Sequence, residues 1–306
     1  MLISLVINPY SGHHDPEGLR VCEQLVAYFQ AEGCEVQCYQ PTHLSQLTMV
    51  VQQAISQHQT VQDGVLVVVG GDGTLNTVAQ HLLSTSVRLG VIPFGTFNYV
   101  ARALGIPLEP LKAAATVLYG QSRAIHVGRI NQYIYLNNAS IGLYPHLIEQ
   151  REMDNRRFGR YRGVAWASGF AVLMRQHQKL KLKMTIDGHA QPIESPMVFF
   201  GNNQLQLADL HLKLADCATQ GKLAVVAVRA VTRWQILSLI ARMQLGTFEQ
   251  APEVQQYCAT QIRIDAACKH MKLAIDGEIV RAEVPLHFAV AKHALQIMVP
   301  HVITSV

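Results

Sequence analysis

The residues with the plainest capacity for chemistry are Gly70-Gly71-Asp72-Gly73-Thr74, where a carboxylate stands among glycines. Before them runs Val65 to Val69, an unbroken apolar segment of strand length. After them Leu75, Val78, Ala79, Leu82 and Leu83 recur at helical spacing. A strand that empties through a glycine turn into a helix suits a phosphate. Glycines take positive φ and let a ligand approach the backbone, and the unpaired amides and dipole of a helix start favour an anion. Asp72 is placed to hold a metal ion against that anion. The alternative is a tight turn that binds nothing, with the aspartate as an N-cap. The agreement of motif and context favours the phosphate reading.

Two further loops share this texture. Residues 2–7 form an apolar strand that runs into Asn8-Pro9-Tyr10-Ser11-Gly12, and the short strand Arg88 to Ile92 closes on Pro93-Phe94-Gly95-Thr96-Phe97-Asn98. Between the loops lie the elements that must position them. Leu19, Cys22, Leu25, Val26 and Phe29 mark a helix with a stop at Gly33, and Cys34 to Tyr39 alternates as a strand before Pro41-Thr42. Leu44 to Ile55 reads as a second helix, and helical patterns follow at about 97–103 and 110–119. Alternating strands and helices predict a parallel sheet with helices on its faces. Ligands bind such sheets beyond the carboxyl ends of the strands. Three polar glycine loops at that edge predict a site.

After about residue 122 the pattern changes to short apolar segments between turn residues: 125–130, 133–137, 182–187, 196–200, 223–229, 262–265, 272–275, 286–290 and 295–299. Several alternate, as in Leu180 to Gly188, which predicts an antiparallel, largely β domain. Helical patterns interrupt it at about 159–177 and 232–245.

Composition narrows the class. With 306 residues, 49% hydrophobic and 15% charged, the chain reads as two soluble globular domains. No apolar run approaches the ~18–20 residues of a membrane span, and the N-terminus reads as a strand with no signal-peptide pattern. The six cysteines form no C-x-x-C pair, so reduced intracellular thiols are expected. Among the 14 histidines no zinc-ligand spacing occurs. A net charge of +4 gives no argument for nucleic acid.

The ensemble of motifs adds a family. Asn8 to Gly12, Gly70 to Asn76, Pro93 to Asn98 and Ile275-Asp276-Gly277-Glu278 resemble the bacterial diacylglycerol kinase-like lipid kinases, in order and spacing over almost the whole chain. Leu136 to Pro145 and Phe199-Phe200-Gly201-Asn202-Asn203 resemble a bacterial branch of that family, which also includes the sphingosine kinases. The resemblance implies an α/β nucleotide-binding domain like those of NAD kinases and phosphofructokinases. It would span residues 1–122, completed by the segment at about 290–306, with an antiparallel β-sandwich-like lipid-substrate domain at 123–289. It implies ATP- and Mg²⁺-dependent phosphorylation of a lipid hydroxyl in a cleft between the two. Carried over, Asn8, Pro9, Tyr10, Ser11, Gly12, Thr42, Gly70, Gly71, Asp72, Gly73, Thr74, Leu75, Asn76, Gly95, Thr96 and Asn98 would hold the nucleotide. Glu278 would be the proton acceptor, with Asp276 and Asp72 as further catalytic carboxylates and Asp72 and Asp216 as metal ligands. The carboxylates at Asp276 and Glu278 lie two apart, so on a strand they would share a face, whereas Asp-Gly suggests a turn.

Four residues, at three places in the chain, depart from the family pattern. Tyr99 and His126 stand where carboxylates around the catalytic metal are usual, and Thr219 and Gln220 stand where a pair of aspartates serves a structural Mg²⁺. Tyr and His remove hard oxygen ligands that magnesium prefers. The competing reading is therefore a nucleotide- or lipid-binding protein of the same fold with weak or no turnover; a kinase of soluble substrates, such as NAD, is a third. From Arg156 to Lys183 there are eight basic residues and no acidic one, around an apolar stretch with Trp166. That pattern fits peripheral contact with an anionic membrane face of a cytoplasmic protein, or a core helix with basic flanks. The sequence leaves the lipid unnamed and the oligomeric state open, a homodimer among the options.

Overall fold

The computed structural model describes residues 1–8, 16–58, 61, 63–83, 85–142, 180–209, 212, 214–229 and 232–301. The loop Pro9 to Gly12, the helix expected at 159–177 and the basic segment up to residue 179 lie outside the described residues. The chain forms two compact units, Met1–Val127 with Lys292–Val306, and Gly128–Ala291.

The first unit is a parallel sheet flanked by helices. Strands β1 (Leu2–Ile7), β2 (Glu35–Tyr39), β3 (Gly64–Gly70) and β4 (Arg88–Pro93) lie in the order β2-β1-β3-β4. All pair in parallel, with Val6 opposite Val68 and Val69 opposite Ile92. The end of the last strand, β16 (Leu286–Val299), lies parallel to β4 with Ile297 opposite Leu89. The central strands β1 and β3 are buried along their whole length, which is why they read as continuous apolar runs rather than alternating ones. Helices α1 (Pro16–Ala31), α2 (Leu47–His58), α3 (Asp72–Leu82), α4 (Tyr99–Ala103) and α5 (Pro110–Tyr119) make up the rest. Their apolar stripes face the sheet: Leu25 and Phe29 of α1, Leu47, Val51, Ala54 and Ile55 of α2, and Leu75, Val78, Ala79 and Leu82 of α3 are buried.

The second unit is an antiparallel sandwich. One layer has the order β12-β11-β10-β7-β14-β15, from β7 (Asn138–Gly142), β10 (Met197–Gly201), β11 (Leu223–Val228), β12 (Val254–Ala259), β14 (His270–Ile275) and β15 (Glu278–Glu283). The other contains β8 (Leu180–Ile186), β9 (His189–Ser195), β13 (Gln261–Ala266) and the first half of β16, and β5 (Gln121–Ile130) pairs with β16 and with the short β6 (Tyr133–Tyr135). Residues pointing inward from both layers, such as Ile141, Val198, Val225, Leu273, Met184 and Ile264, form one core. Phe200 stacks on Phe288 within it, centroids 3.7 Å apart. Helices Gln204–Asp209, Ala215–Thr219 and Arg233–Gln244 accompany the six-stranded layer, and Leu207, Cys217 and Leu239 pack with Ala224, Val226 and Val228 in a second apolar cluster. Cys217 and Cys258 are joined as a disulfide with Cα atoms 5.8 Å apart, which corrects the expectation that all six cysteines are reduced. Spacing hid this pair because its partners are 41 residues apart and meet only through packing. The other four cysteines are free thiols.

Strands 138–142, 189–195, 254–259 and 278–283 go beyond the segments read from the sequence, and 286–290 and 295–299 are one strand rather than two. Strand 138–142 is buried but opens with Asn138, Ala139 and Ser140, and the others are half-buried or alternate weakly, so apolar runs did not mark them.

Candidate active site

Three loops leave the carboxyl ends of β1, β3 and β4 in the first unit, and two of them are described in full. The glycine segment is tighter than its sequence suggests. Helix α3 begins at Asp72 itself, with Gly71 as N-cap at φ −90° and ψ −177°, and none of Gly70, Gly71 and Gly73 has positive φ. These glycines serve close approach instead. A Cβ on Gly95 would stand 2.6 Å from the Cα of Gly71, and one on Gly71 would stand 3.1 Å from the Cα of Gly95. The loops after β3 and β4 therefore touch main chain to main chain, and Phe94 N–H donates to the Gly70 carbonyl at 2.9 Å. A Cβ on Gly70 would meet Thr74 at 2.9 Å.

Side chains brace this contact. The buried Asn8 donates from Nδ2 to Thr74 Oγ1 at 2.7 Å, and its backbone N–H donates to Val69 O at 3.2 Å. The residue that follows β1 is thus tied to the first turn of α3. Asn98, at φ 48° and ψ 44°, accepts from Gly95 N–H at 3.0 Å and donates to Gly95 O at 2.8 Å, closing its own turn. Asp72 reaches across to α4, accepting from the N–H groups of Tyr99 at 3.1 Å and Val100 at 3.2 Å. The aspartate does cap a helix, but the neighbouring one. Two of roughly four carboxylate lone-pair positions are so used, which leaves room for a metal contact. Leu75 is buried as a core residue, Asn76 half-buried on the next turn and Thr96 exposed on the loop. Thr42 is exposed, and both its N–H and its hydroxyl donate to Gln46 Oε1, at 3.1 and 2.8 Å.

The two departures in this unit have defined surroundings. Tyr99 stacks against the exposed Phe97, centroids 5.7 Å apart and planes within 11°, with the Arg102 guanidinium 5.6 Å from its ring. His126 accepts from the backbone N–H of His293 at Nδ1, 3.2 Å, with the two rings edge to face. Burial lowers the pKa of His126, assisted by His293 and Lys292, which favours the neutral ring that can accept this bond.

In the second unit Asp276 and Gly277 are the two loop residues of the hairpin between β14 and β15, at φ 47° and 90°, with Ile275 opposite Glu278. Two positive φ values are what a type I′ turn needs, and Asp-Gly supplies them. Of the two geometries left open by the sequence, the turn is the one present. The Asp276 carboxylate accepts from the N–H groups of Leu136 at 2.7 Å, Asn137 at 2.9 Å and Asn138 at 2.9 Å. Glu278 opens β15 and is exposed.

Sequence reasoning quoted the asparagine doublets only as family features; the structure joins them. Asn203 Nδ2 donates to Asn137 Oδ1 at 2.8 Å, Asn202 Nδ2 to Leu136 O at 3.1 Å, and Asn138 Nδ2 to Gln206 Oε1 at 2.9 Å. Two Asn-Asn pairs in a chain of apolar strands were the available signal. Asp216 is an exposed residue of the short helix Ala215–Thr219, and its carbonyl accepts from Thr219 Oγ1. Among the described residues no group of three or more His, Cys, Asp or Glu side chains could hold a metal ion. At Asp72 a single carboxylate fits Mg²⁺ only with nucleotide phosphates as the remaining ligands, a sharing that is usual for this ion.

The chain thus combines a parallel α/β unit, in which the loops after β3 and β4 meet main chain to main chain, with an antiparallel β sandwich. Residues 3–130 match the diacylglycerol kinase catalytic domain, and residues 150–299 match the YegS C-terminal NAD kinase beta sandwich-like domain. With these two domains the chain belongs to the diacylglycerol kinase-like family. A diacylglycerol kinase of Bacillus subtilis (strain 168) is 36% identical over 141 residues, a match spanning 45% of each chain. One from Staphylococcus aureus (strain MRSA252) is 23% identical over 98% of this chain and 93% of its own. The fold is similar to that of a diacylglycerol kinase crystal structure from Bacillus anthracis str. Sterne, with a TM-score of 0.71 at 18% identity, covering 98% and 97% of the two chains. Among the described residues no helix is long and apolar enough to cross a membrane.

Proposed function

We propose that this protein is an ATP-dependent lipid kinase that transfers the γ-phosphate of ATP to a lipid hydroxyl. The observation that carries the reading is the close main-chain contact of Gly71 and Gly95 beside the start of α3, which leaves no room for a β-carbon on either and keeps bare backbone at that helix end. Backbone amides and the positive helix end there suit phosphate oxygens. Asn8, Thr74, Asn98 and Asp72 hold the loops in register for that purpose. Phosphoryl transfer depends mainly on positioning and charge neutralisation. In this reading Asp72 shares Mg²⁺ with the nucleotide; bound there, the ion neutralises charge on the phosphate oxygens. Glu278 takes the proton of the acceptor hydroxyl. The names of the family's relatives favour diacylglycerol-like acceptors. Contact of the segment 156–183 with an anionic membrane surface, on the cytoplasmic side, is proposed from its sequence alone.

Incubation with labelled ATP and a panel of diacylglycerols, phosphatidylglycerol and sphingoid bases is expected to give one phosphorylated lipid, and Glu278→Gln is expected to abolish it. The absence of any labelled lipid, with ATP still raising thermal stability, would support the second reading, a binding protein without turnover. The surroundings of Tyr99 and His126 favour that alternative, since neither side chain offers an anionic oxygen to a metal.

A further inference from the structure

Asp276 and Glu278 stand two residues apart, and a lipid kinase needs only one proton acceptor. The geometry points to a division of labour: Asp276 is a positioning residue, and with Asn137, Asn138, Asn202, Asn203 and Gln206 it fixes the hairpin that presents Glu278. The inference rests on the reading of Glu278 as proton acceptor.

Three features support it. The Asp276 carboxylate is turned toward three consecutive backbone N–H groups, those of Leu136, Asn137 and Asn138, at 2.7 to 2.9 Å. That occupies three of its roughly four lone-pair positions, so a hydroxyl proton would compete with amides already in place. The Asp276 N–H in turn donates to Asn138 O at 2.9 Å, so one turn residue ties the hairpin to β7 through both its side chain and its backbone. Glu278 is exposed, as a group that meets a substrate must be.

The strand partner is itself anchored. Asn137 O accepts from the backbone N–H groups of Asn202 and Asn203, at 2.8 and 3.2 Å. Its Oδ1 accepts from Asn203 Nδ2 at 2.8 Å, and Asn203 Oδ1 accepts from Gln206 N–H at 3.1 Å. Asn137 and Asn203 are buried, at 3% and 6% exposure, so these bonds are shielded from water. A chain of amides thus runs from helix Gln204–Asp209 through β7 to the turn before Glu278. These shielded bonds stiffen what they hold, although Asn138 Oδ1 is buried without a hydrogen-bond partner among the described residues.

The test compares wild type with Glu278→Gln, Asp276→Asn, Asn203→Ala and the milder Gln206→Ala. Asn tolerates the positive φ at 276 but would turn an NH₂ toward amide donors. Hydrogen exchange of the peptides around 135–139 and 272–282 reads the hairpin without reference to activity. Faster exchange is expected in Asp276→Asn and Asn203→Ala, with none in Glu278→Gln; unchanged exchange in both of the first two would overturn the network. Initial rates across pH read the roles. Displacing a catalytic group by about 1 Å can cost on the order of 100-fold. Asp276→Asn is therefore expected to lower kcat by about 10- to 100-fold, and Gln206→Ala by several-fold on the same scale, with KM for ATP unchanged. The acidic limb of the kcat profile should persist in Asp276→Asn and vanish in Glu278→Gln. If it vanishes in Asp276→Asn, Asp276 is the proton acceptor and the positioning role is wrong. If Glu278→Gln retains full activity, the underlying functional reading has failed instead.

Discussion

The two units hold their functional segments in opposite ways. In the first, glycine backbones press together and a single aspartate bridges to the next helix, so the cradle exists because atoms are missing. In the second, a hairpin in left-handed backbone geometry is tied down by a carboxylate and several amide side chains, so the arrangement exists because atoms are present. The first fails when an atom is added, the second when one is removed. A phosphate needs many amides at short range, which only bare backbone provides. An acceptor hydroxyl needs one carboxylate aimed well, which a braced turn provides.

The contrast can be tested in order of expected effect. Glu278→Gln should lower kcat by about 10²–10⁴-fold, the usual contribution of a general base. Because the side chain is exposed, its unfolding free energy should stay within about 0.5 kcal/mol of wild type. A large loss of stability would show that this glutamate is structural. Reducing the Cys217–Cys258 disulfide should destabilise the second unit by about 2–4 kcal/mol, read as a shift in its denaturation midpoint with and without reductant. If the midpoint stays put, the amide network and core hold that unit unaided. Gly95→Ala should cost the first unit about 1–3 kcal/mol through overpacking and weaken ATP binding in calorimetry. Gly71→Ala, with the longer 3.1 Å approach, should do less. Equal affinity for both variants and wild type would remove the cradle from the nucleotide site.

The smallest effect concerns pH. Burial lowers the pKa of His58, His81 and His126, with Arg88 assisting at His58. The unfolded chain therefore binds protons first as pH falls below the ordinary histidine value of 6.5. Stability of the first unit should be full above that value and decline below it. Both ring nitrogens of His58 are buried without a hydrogen-bond partner among the described residues. His58→Gln should flatten the acid decline in pH-dependent urea titrations, and an unchanged slope would clear this residue.

Much of the first unit was legible because β1 and β3 are buried on both faces and its helices carry clean stripes. Val65 to Val69 and the stripe from Leu75 to Leu82 could be read directly. Positive φ was expected at Gly70, Gly71 and Gly73 and is absent, because φ values do not follow from glycine alone; Gly71 and Gly95 allow two loops to touch. In the second unit less could be read. Strand 254–259 is half-buried at a sheet edge, and strand 278–283 mixes Glu278, Arg281 and Glu283 with apolar residues. Asp276 could be picked out as a carboxylate near Glu278, but its three amide partners come from a segment some 140 positions earlier. Long-range hydrogen bonds leave no local pattern.

The last strand belongs first to the sandwich and then to the parallel sheet. During synthesis the glycine cradle emerges early, yet the strand beside β4 is translated only after the whole sandwich. The nascent first unit thus presents β4 as an open sheet edge, which favours mispairing. Stalled or clipped chains lacking β16 would keep the loops after β3 and β4 but expose that edge, marking them for aggregation or quality-control proteolysis.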